Sequence, residues 1–246
     1  MLLFYVRHGD PDYLHDSLTP LGQQQVEAVV ARMERIKPDR IYCSNLHRAY
    51  LTAKPTADHF GMDVTEVDFL DEKQGYLDMR CEWAQGPYGG DIKYQWAFGI
   101  PAYRELFTSP EIRKTGRDWY KHPAFADHPS FGTCMERVQK GTDEFLLSLG
   151  YRHDHERCAF IAERPNDDRI AVFAHQGVGL IFLAALLDIP YPQFCTHFDI
   201  SHSSITVIDF QGDGIVIPKV RQLSNDSHLF AAGMPTKYNN HERLNF

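Results

Sequence analysis

The chain has 246 residues, of which 43% are hydrophobic, and it carries a formal net charge of -8 at pH 7. This hydrophobic content suffices for a sizeable core, whereas the acidic balance argues against the broad basic surface of a general nucleic-acid or anionic-membrane binder. A small basic pocket for an anion is compatible with it, and no stretch approaches the roughly 18 apolar residues of a membrane span.

The chain begins with an apolar run, residues 2–6, that is rich in β-forming residues. Such a run is typical of a strand buried on both faces of a parallel sheet. A helix is predicted next, with Thr19 as its N-cap and Pro20 as its first residue.

A second short strand is predicted over residues 40–43, followed by a helix beginning at Ser44. Pro55 should kink this helix or end it early, because proline lacks the N–H that the helix requires. Residues 64–67 form a third candidate strand.

Residues 74–130 lack clear periodicity and contain all three tryptophans, Trp83, Trp96 and Trp119. A long irregular segment in a compact domain is usually a lid or an insertion, and its aromatic content argues against a linker. A satellite core, a substrate pocket and a dimer interface are the alternatives.

The C-terminal half contains a further series of elements and a charged loop. They are predicted as a helix over 132–149, a charged loop over 152–157, a buried strand over 170–174, an apolar helix over 177–187, and a final pair of strands over 203–210 and 214–220. Alternation of strands with helices indicates an α/β fold, here one domain (1–246) with a three-layer α/β/α architecture and a mostly parallel central sheet.

Functional side chains follow the two most apolar strands directly. The first strand ends in Arg7 and His8, and the strand over 170–174 ends in His175. Because ligands bind outside the carboxyl ends of strands in open α/β sheets, these side chains should meet at one edge, together with Arg48 after the second strand. Two arginines and two histidines there predict a site for a tetrahedral oxyanion, aided by the dipole of the helix after Ser44.

Five motifs in order resemble those of the histidine phosphatase superfamily, which has the phosphoglycerate-mutase-like fold. They are Arg7-His8-Gly9, Leu18-Thr19-Pro20-Leu21-Gly22, Ser44-Asn45-Leu46-His47-Arg48-Ala49, Ala174-His175-Gln176-Gly177 and Ser203-Ser204-Ile205-Thr206. The resemblance covers most of the chain outside 74–130.

The resemblance implies a covalent mechanism in which His8 attacks phosphorus and becomes a phosphohistidine. Nearby arginine charges favour the neutral imidazole that this attack requires. Arg7, Arg48 and His175 would hold the phosphate oxygens and stabilise the transferring group. Gly9, which lets the backbone approach the phosphate, completes the predicted phosphate site together with two polar side chains, Gln176 and Ser44. No metal and no organic cofactor are implied.

A general acid is also required, to protonate the leaving oxygen and later to activate water. One branch of the family has an acid directly after the second histidine, and Gln176 in that place excludes this branch. The other branch carries a glutamate after the third strand. Glu72, two positions after Leu70, is the favoured candidate, and Asp71 is its rival.

These roles predict a metal-independent phosphomonoesterase that acts on a small phosphorylated substrate. A phosphoglycerate-type mutase is the first alternative, but the stretches that read DPDYLHD and DEKQGY depart from the mutase motifs. The second alternative is a catalytically idle domain that binds a phosphorylated ligand or a partner, and retention of all five core residues argues against it.

Several histidines and polar residues fall outside this scheme. His153 and His155 suggest a metal, but their spacing fits no standard zinc motif and Arg152 and Arg157 would repel a cation, so a solvated loop is expected. His197 and His202 either face the pocket or cap a strand. Asp10 and Asn45 either line the pocket or serve only as turn residues.

The five cysteines are odd in number and form no CxxC pair. No disulfide framework is implied, and a reducing compartment fits this usage. The N-terminus also lacks the basic and apolar regions of a signal peptide. A cytoplasmic location is therefore predicted.

Overall fold

A computed structural model describes residues 1–83 and 94–239. The strands of this part of the chain are β1 (Leu2–Arg7), β2 (Pro11–Asp12), β3 (Ser17–Leu18), β4 (Arg40–Cys43), β5 (Val64–Glu66), β6 (Arg80–Glu82), β7 (Tyr94–Trp96), β8 (Tyr151–Asp154), β9 (Ala159–Ala162), β10 (Arg169–Ala174), β11 (Ile205–Asp209), β12 (Gly214–Val216) and β13 (Lys219–Asn225). The helices are α1 (Pro20–Ile36), α2 (His47–Phe60), α3 (Glu72–Met79), α4 (Pro101–Thr108), α5 (Pro110–Lys114), α6 (Pro129–Ser148), α7 (Gly177–Leu186), α8 (Tyr191–His197) and α9 (Ser227–Ala231).

Six strands form the central sheet in the order β13-β11-β1-β10-β4-β5. The pairs β1–β10, β10–β4 and β4–β5 are parallel, whereas β11 runs antiparallel to both β1 and β13. The mostly parallel sheet that the sequence predicts is therefore confirmed. Because β11 is antiparallel, its first residue lies at the same sheet edge as the last residues of β1 and β10.

Helices cover both faces of this sheet, as the apolar strands require. Leu3 and Tyr5 of β1 pack into the core shared with α6 and α7, and Phe4 and Val6 pack into the core shared with α1 and α2. Alternation along one strand thus supplies both cores, because successive side chains point to opposite faces. The result is the predicted three-layer architecture.

The start and the middle of α2 differ from the prediction. The helix begins at His47 with Leu46 as its N-cap, not at Ser44, and it continues through Pro55 to Phe60. Pro55 removes one hydrogen bond, to the carbonyl of Leu51 four residues earlier. Pro55 is exposed and Leu51 is half-buried, so water can satisfy that carbonyl and the helix survives.

The C-terminal strands also pair differently from the prediction. β11 pairs with β13, and β12 instead joins a separate antiparallel sheet in the order β12-β9-β8. The prediction of a solvated loop over 152–157 is wrong for its first part, because β8 includes His153, which is buried. Its alternating pattern is too short to stand out among charged neighbours.

Much of the aromatic segment belongs to the core of the protein. Phe107, Ile112, Trp119 and Phe125 are each 1% exposed, and they lie in the same apolar cluster as α6, α7 and α8. These side chains therefore extend the main core instead of forming a separate satellite core, and the lid or insertion role stays a prediction. Residues 84–93 of the predicted segment lie outside the described part of the chain.

Candidate active site

The first of the predicted motifs, Arg7-His8-Gly9, lies at the carboxyl edge of the central sheet. Arg7 ends β1 and His8 follows it, and both are buried, at 0% and 1% exposure. The His8 ring lies 5.1 Å from the ring of His175, which follows the neighbouring parallel strand β10. The register of β1 and β10 places Arg7 opposite Ala174, so the two histidines meet because their strands end together.

One hydrogen bond sets the tautomer of His8. Nδ1 lies 2.7 Å from the carbonyl oxygen of Gly9, which can only accept, so Nδ1 carries the proton and Nε2 presents its lone pair. Burial lowers the pKa of His8 well below 6.5, and the charges of Arg48 and Arg7 lower it further. The imidazole is therefore neutral at physiological pH, with Nε2 available as a nucleophile.

Two arginines supply the positive charge of the site. Arg7 donates to the carbonyl of Ile200, and Arg48 is paired with Asp16, whose other oxygen accepts from the backbone N–H of His47 at the start of α2. Within the described residues, the buried Nε atoms of both guanidinium groups have no hydrogen-bond partner. Both arginines therefore keep donor capacity for an anion.

His175 is held by a neighbouring strand end. Its Nε2 lies 2.8 Å from Oγ of Ser44, which follows β4, and among the described residues its Nδ1 has no partner. Burial lowers the pKa of His175 well below 6.5, as do the charges of Arg48, His8 and Arg7. Ser44 thus contacts the second histidine rather than beginning a helix.

The structure distinguishes the two candidate acids by what each one contacts. Asp71 is the N-cap of α3, accepting from the N–H of Gln74 at 3.0 Å. Glu72 accepts from the N–H groups of Gly177 at 3.0 Å and Val178 at 2.7 Å, at the start of α7 directly after His175. Burial raises the pKa of Glu72, although these two N–H groups and the two arginines oppose the rise.

Gly9 and Gln176 have further neighbours that the sequence did not indicate. A Cβ at Gly9 would lie 2.8 Å from the carbonyl oxygen of Gly22, so the close approach to α1 also requires a glycine here, and its role at phosphate stays a prediction. The side chain of Gln176 donates to Asp199 and accepts from Asn239 at 3.1 Å. Gln176 therefore positions neighbouring polar groups in this structure.

Two further residues lie in the site. His202 is 5.7 Å from His8 between ring centroids, and its Nε2 is 2.6 Å from a nitrogen of Arg7. Asn239 accepts from Arg7 and from Tyr13 through the same side-chain oxygen. His202 precedes β11, whose antiparallel direction could have indicated its place, whereas no pattern in the sequence indicates Asn239.

His197 lies apart from His202. It is exposed at the end of α8 and lines a cavity of about 430 Å³ together with Arg104, Trp83, Phe98 and Asp199. Asp199 connects this cavity to the carboxyl edge of the central sheet around His8 and His175, which we call the catalytic edge, because it accepts a hydrogen bond from Gln176. Of the two remaining polar candidates, Asp10 binds the N-cap Thr19 at 2.7 Å and Asn45 donates to Asp71 at 3.1 Å.

Two observations from across the chain complete this description. Among the described residues, no helix is long and apolar enough to cross a membrane. The same part of the chain contains one group of side chains that could hold a metal, Asp143, His153 and His155, and none of these is at the catalytic edge.

Comparison with known families assigns the chain to one of them. The family model described as "Histidine phosphatase superfamily (branch 1)" matches residues 3–80 and 105–222. The chain belongs to this family. This membership confirms the resemblance carried by the motifs and the enzyme class that it implied, a phosphomonoesterase-type hydrolase whose family characteristically uses a phosphohistidine.

Individual relatives are distant. The protein named "Putative phosphoserine phosphatase 2" from Hydrogenobacter thermophilus is 28% identical over 160 residues, which cover 61% of this chain and 68% of that protein. A phosphoserine phosphatase mutant from Entamoeba histolytica, in complex with phosphoserine, has a TM-score of 0.56 and 19% identity, covering 93% of this chain and 98% of its own. The α-ribazole phosphatase from Shigella flexneri has a TM-score of 0.53 and 20% identity, covering 92% and 96%. The two structures show a shared fold.

Proposed function

We propose that the protein hydrolyses a small phosphate monoester, with His8 as the nucleophile. The observation that carries the proposal is the state of His8: its proton is fixed on Nδ1 by Gly9, and its pKa is lowered by burial and by two arginines. A buried neutral imidazole between guanidinium groups is suited to attack an anionic phosphoryl group.

In the first step, Nε2 of His8 forms a bond to phosphorus and the bond from phosphorus to the leaving oxygen breaks. Glu72 donates its proton to that oxygen, and the raised pKa of its carboxyl favours the protonated form that this role needs. In the second step, Glu72 accepts a proton from water, the water oxygen bonds to phosphorus, and the bond to Nε2 breaks. Inorganic phosphate leaves and both side chains return to their starting states.

The charge of the transferring group is balanced by the same edge of the sheet. We propose that three side chains hold the oxygens of the phosphoryl group: Arg7, Arg48 and His175. All three are buried and lie close to His8. Their unpartnered nitrogens among the described residues support this role, since a phosphate oxygen would provide the missing acceptors.

The leaving group is proposed to lie toward the cavity beyond Asp199. Its lining combines aromatic side chains with Arg104, whose guanidinium group forms no ion pair or hydrogen bond with the side chains of the described residues. A cation beside aromatic rings favours a leaving group with its own carboxylate, and two of the relatives are named for phosphoserine.

The first experiment measures release of inorganic phosphate from p-nitrophenyl phosphate, phosphoserine and a panel of other phosphate monoesters, with EDTA present. Hydrolysis by the wild type should fall by about 10³-fold or more in His8→Ala, and His15→Ala is the matched control because His15 is exposed and bound to Asp12. Activity that persists in His8→Ala would overturn the mechanism. Transfer to a second hydroxyl of the substrate without phosphate release would support the mutase instead.

A further inference from the structure

A second cluster of histidines lies between α6 and β8. Nδ1 of His153 is 2.8 Å from one carboxylate oxygen of Asp143, and Nε2 of His155 is 2.9 Å from the other. The two imidazole rings are 4.0 Å apart between centroids. One carboxylate thus faces two histidine nitrogens at the same time.

This cluster is remote from the catalytic edge. Asp188, which contacts His153, follows the end of α7, whereas Glu72 binds the first residues of that helix. The ten residues of α7 separate the two ends by about 15 Å at 1.5 Å per residue. The cluster therefore takes no part in the proposed phosphoryl transfer.

Counting protons shows that His153 has an unusual environment. Its Nδ1 faces Asp143 and its Nε2 faces Asp188 at 3.0 Å, so a carboxylate oxygen lies against each ring nitrogen. A neutral imidazole has one N–H, and an ionised carboxylate has none. One of the two contacts consequently needs a shared cation, either a second proton on the ring or a metal ion.

We propose that Asp143, Nδ1 of His153 and Nε2 of His155 bind a divalent transition-metal ion, with Zn²⁺ as the best fit. The ligand atoms of these three residues all lie within 4.8 Å of one another. Two imidazoles and one carboxylate form a donor set that zinc accepts, and water would complete a tetrahedron.

The second ring nitrogen of His153 supports the assignment. With a metal at Nδ1, the proton belongs on Nε2, where it is donated to Asp188, whose side chain is only 4% exposed. A carboxylate that accepts from the far nitrogen of a ligating histidine orients the ring and increases its basicity. Asp188 would therefore act as a positioning residue for the metal site.

The three arginines near the cluster are each paired with a carboxylate. Arg152 pairs with Glu163 at 2.7 Å and Arg157 pairs with Asp154 at 3.6 Å, so the repulsion predicted from their sequence positions is compensated. Arg117 is paired with Asp188 and also lies 3.1 Å from Nδ1 of His155. Metal binding at Nε2 requires a proton on Nδ1, so Arg117 must release the ring while keeping its ion pair.

A metal here would be structural. It would join α6 to β8 directly, and through Asp188 and Arg117 it would connect the end of α7 to the aromatic segment. Metal binding to the folded state alone raises the free energy of unfolding, and the increase grows with the logarithm of the ratio of metal concentration to Kd. Phosphatase activity should not depend on it.

The test uses the full chain after treatment with a chelator, titrated with Co²⁺ and then with Zn²⁺. We expect one Co²⁺ per chain, with the ligand-field absorption of a tetrahedral nitrogen–oxygen site, displacement by Zn²⁺ and a higher Tm. Asp143→Asn and His155→Gln should each weaken Co²⁺ binding by about 10-fold or more. His59→Gln, which removes a surface histidine paired with Glu34, should bind as the wild type does.

Both ligand variants remove half-buried or exposed side chains, and far-UV circular dichroism establishes that they fold. The proposal is overturned if folded wild type binds no Co²⁺, or if it binds equally well after Asp143→Asn and His155→Gln. No binding by the wild type would leave His153 in contact with the two carboxylates without a metal ion. The test measures Co²⁺ binding and Tm rather than catalysis, so its outcome is independent of the phosphatase assay.

Discussion

The protein contains two histidine clusters that differ in the charge of their neighbours. At the catalytic edge, His8, His175 and His202 lie among guanidinium groups, and burial with these charges lowers the pKa of each well below 6.5. At the other end of α7, His153 and His155 contact carboxylates. Surrounding charge thus distinguishes the two roles that we propose for one residue type: a neutral nucleophile among cations, and a binder of cations among anions.

The largest effect should come from the carboxylate at the catalytic edge. Glu72→Gln removes the proposed acid, and kcat on an alkyl phosphate should fall by about 10²- to 10⁴-fold. The loss should be smaller with p-nitrophenyl phosphate, because p-nitrophenolate leaves without protonation. Asp71→Asn is the matched control: asparagine also caps a helix, so kcat should remain within about twofold. Similar losses in the two variants would contradict the assignment of Glu72.

The next prediction compares Arg48 of the catalytic edge with Arg117 of the second histidine cluster. Arg48→Leu should lower kcat by about 10²- to 10³-fold, because a donor to the transferring group is lost. Arg117→Leu removes an arginine from the second histidine cluster, so it should leave kcat unchanged and lower the Tm by leaving the buried carboxylate of Asp188 without this cation. Steady-state kinetics and thermal unfolding on both variants measure the contrast. A comparable kcat loss in Arg117→Leu would show that the two ends of α7 are coupled.

The smallest predicted effect concerns how the free energy of unfolding depends on pH. The lowered pKa values of His8, His175 and His202 mean that the unfolded chain binds more protons than the folded one below about pH 6.5. The free energy of unfolding should therefore be highest above this pH and decrease as the pH falls. Each buried histidine contributes a slope of up to about 1.4 kcal/mol per pH unit.

Urea unfolding between about pH 8 and about pH 5 measures this slope. His202→Asn should flatten it by the contribution of one group. His15→Asn, at an exposed position, should leave it unchanged. A slope that His202→Asn does not alter would show that His202 is not buried as a neutral ring.

Several features were predictable because their causes are local. The apolar runs of β1 and β10 predict buried parallel strands, and Thr19 with Pro20 predicts the start of α1, where the Thr19 side chain accepts from the N–H of Gly22. Parallel strands end at one edge, so the approach of His8 to His175 follows from topology.

Other features depend on contacts between distant parts of the chain. Glu72 and Asp71 are adjacent acids, and only the packing of α3 beside the start of α7 shows which one faces the catalytic edge. The core role of Trp119 was hidden because this residue lies in a short 3-10 helix, Gly116–Lys121, which is too short to show a period. The pairing of β11 with β13 bypasses a nearer strand, β12, which sequence order favours.

By itself, the sequence determined the strand ends, the motifs and hence the chemistry of the catalytic edge, because these depend on the composition of short contiguous runs. The tertiary structure decided which charges surround each histidine. Arg48 reaches His8 from the first turn of α2, and Asp143 and Asp188 reach His153 from α6 and from the end of α7. Electrostatic environment depends on distance in space, and burial strengthens it by excluding water, so residues far apart in the sequence set the roles of these imidazoles.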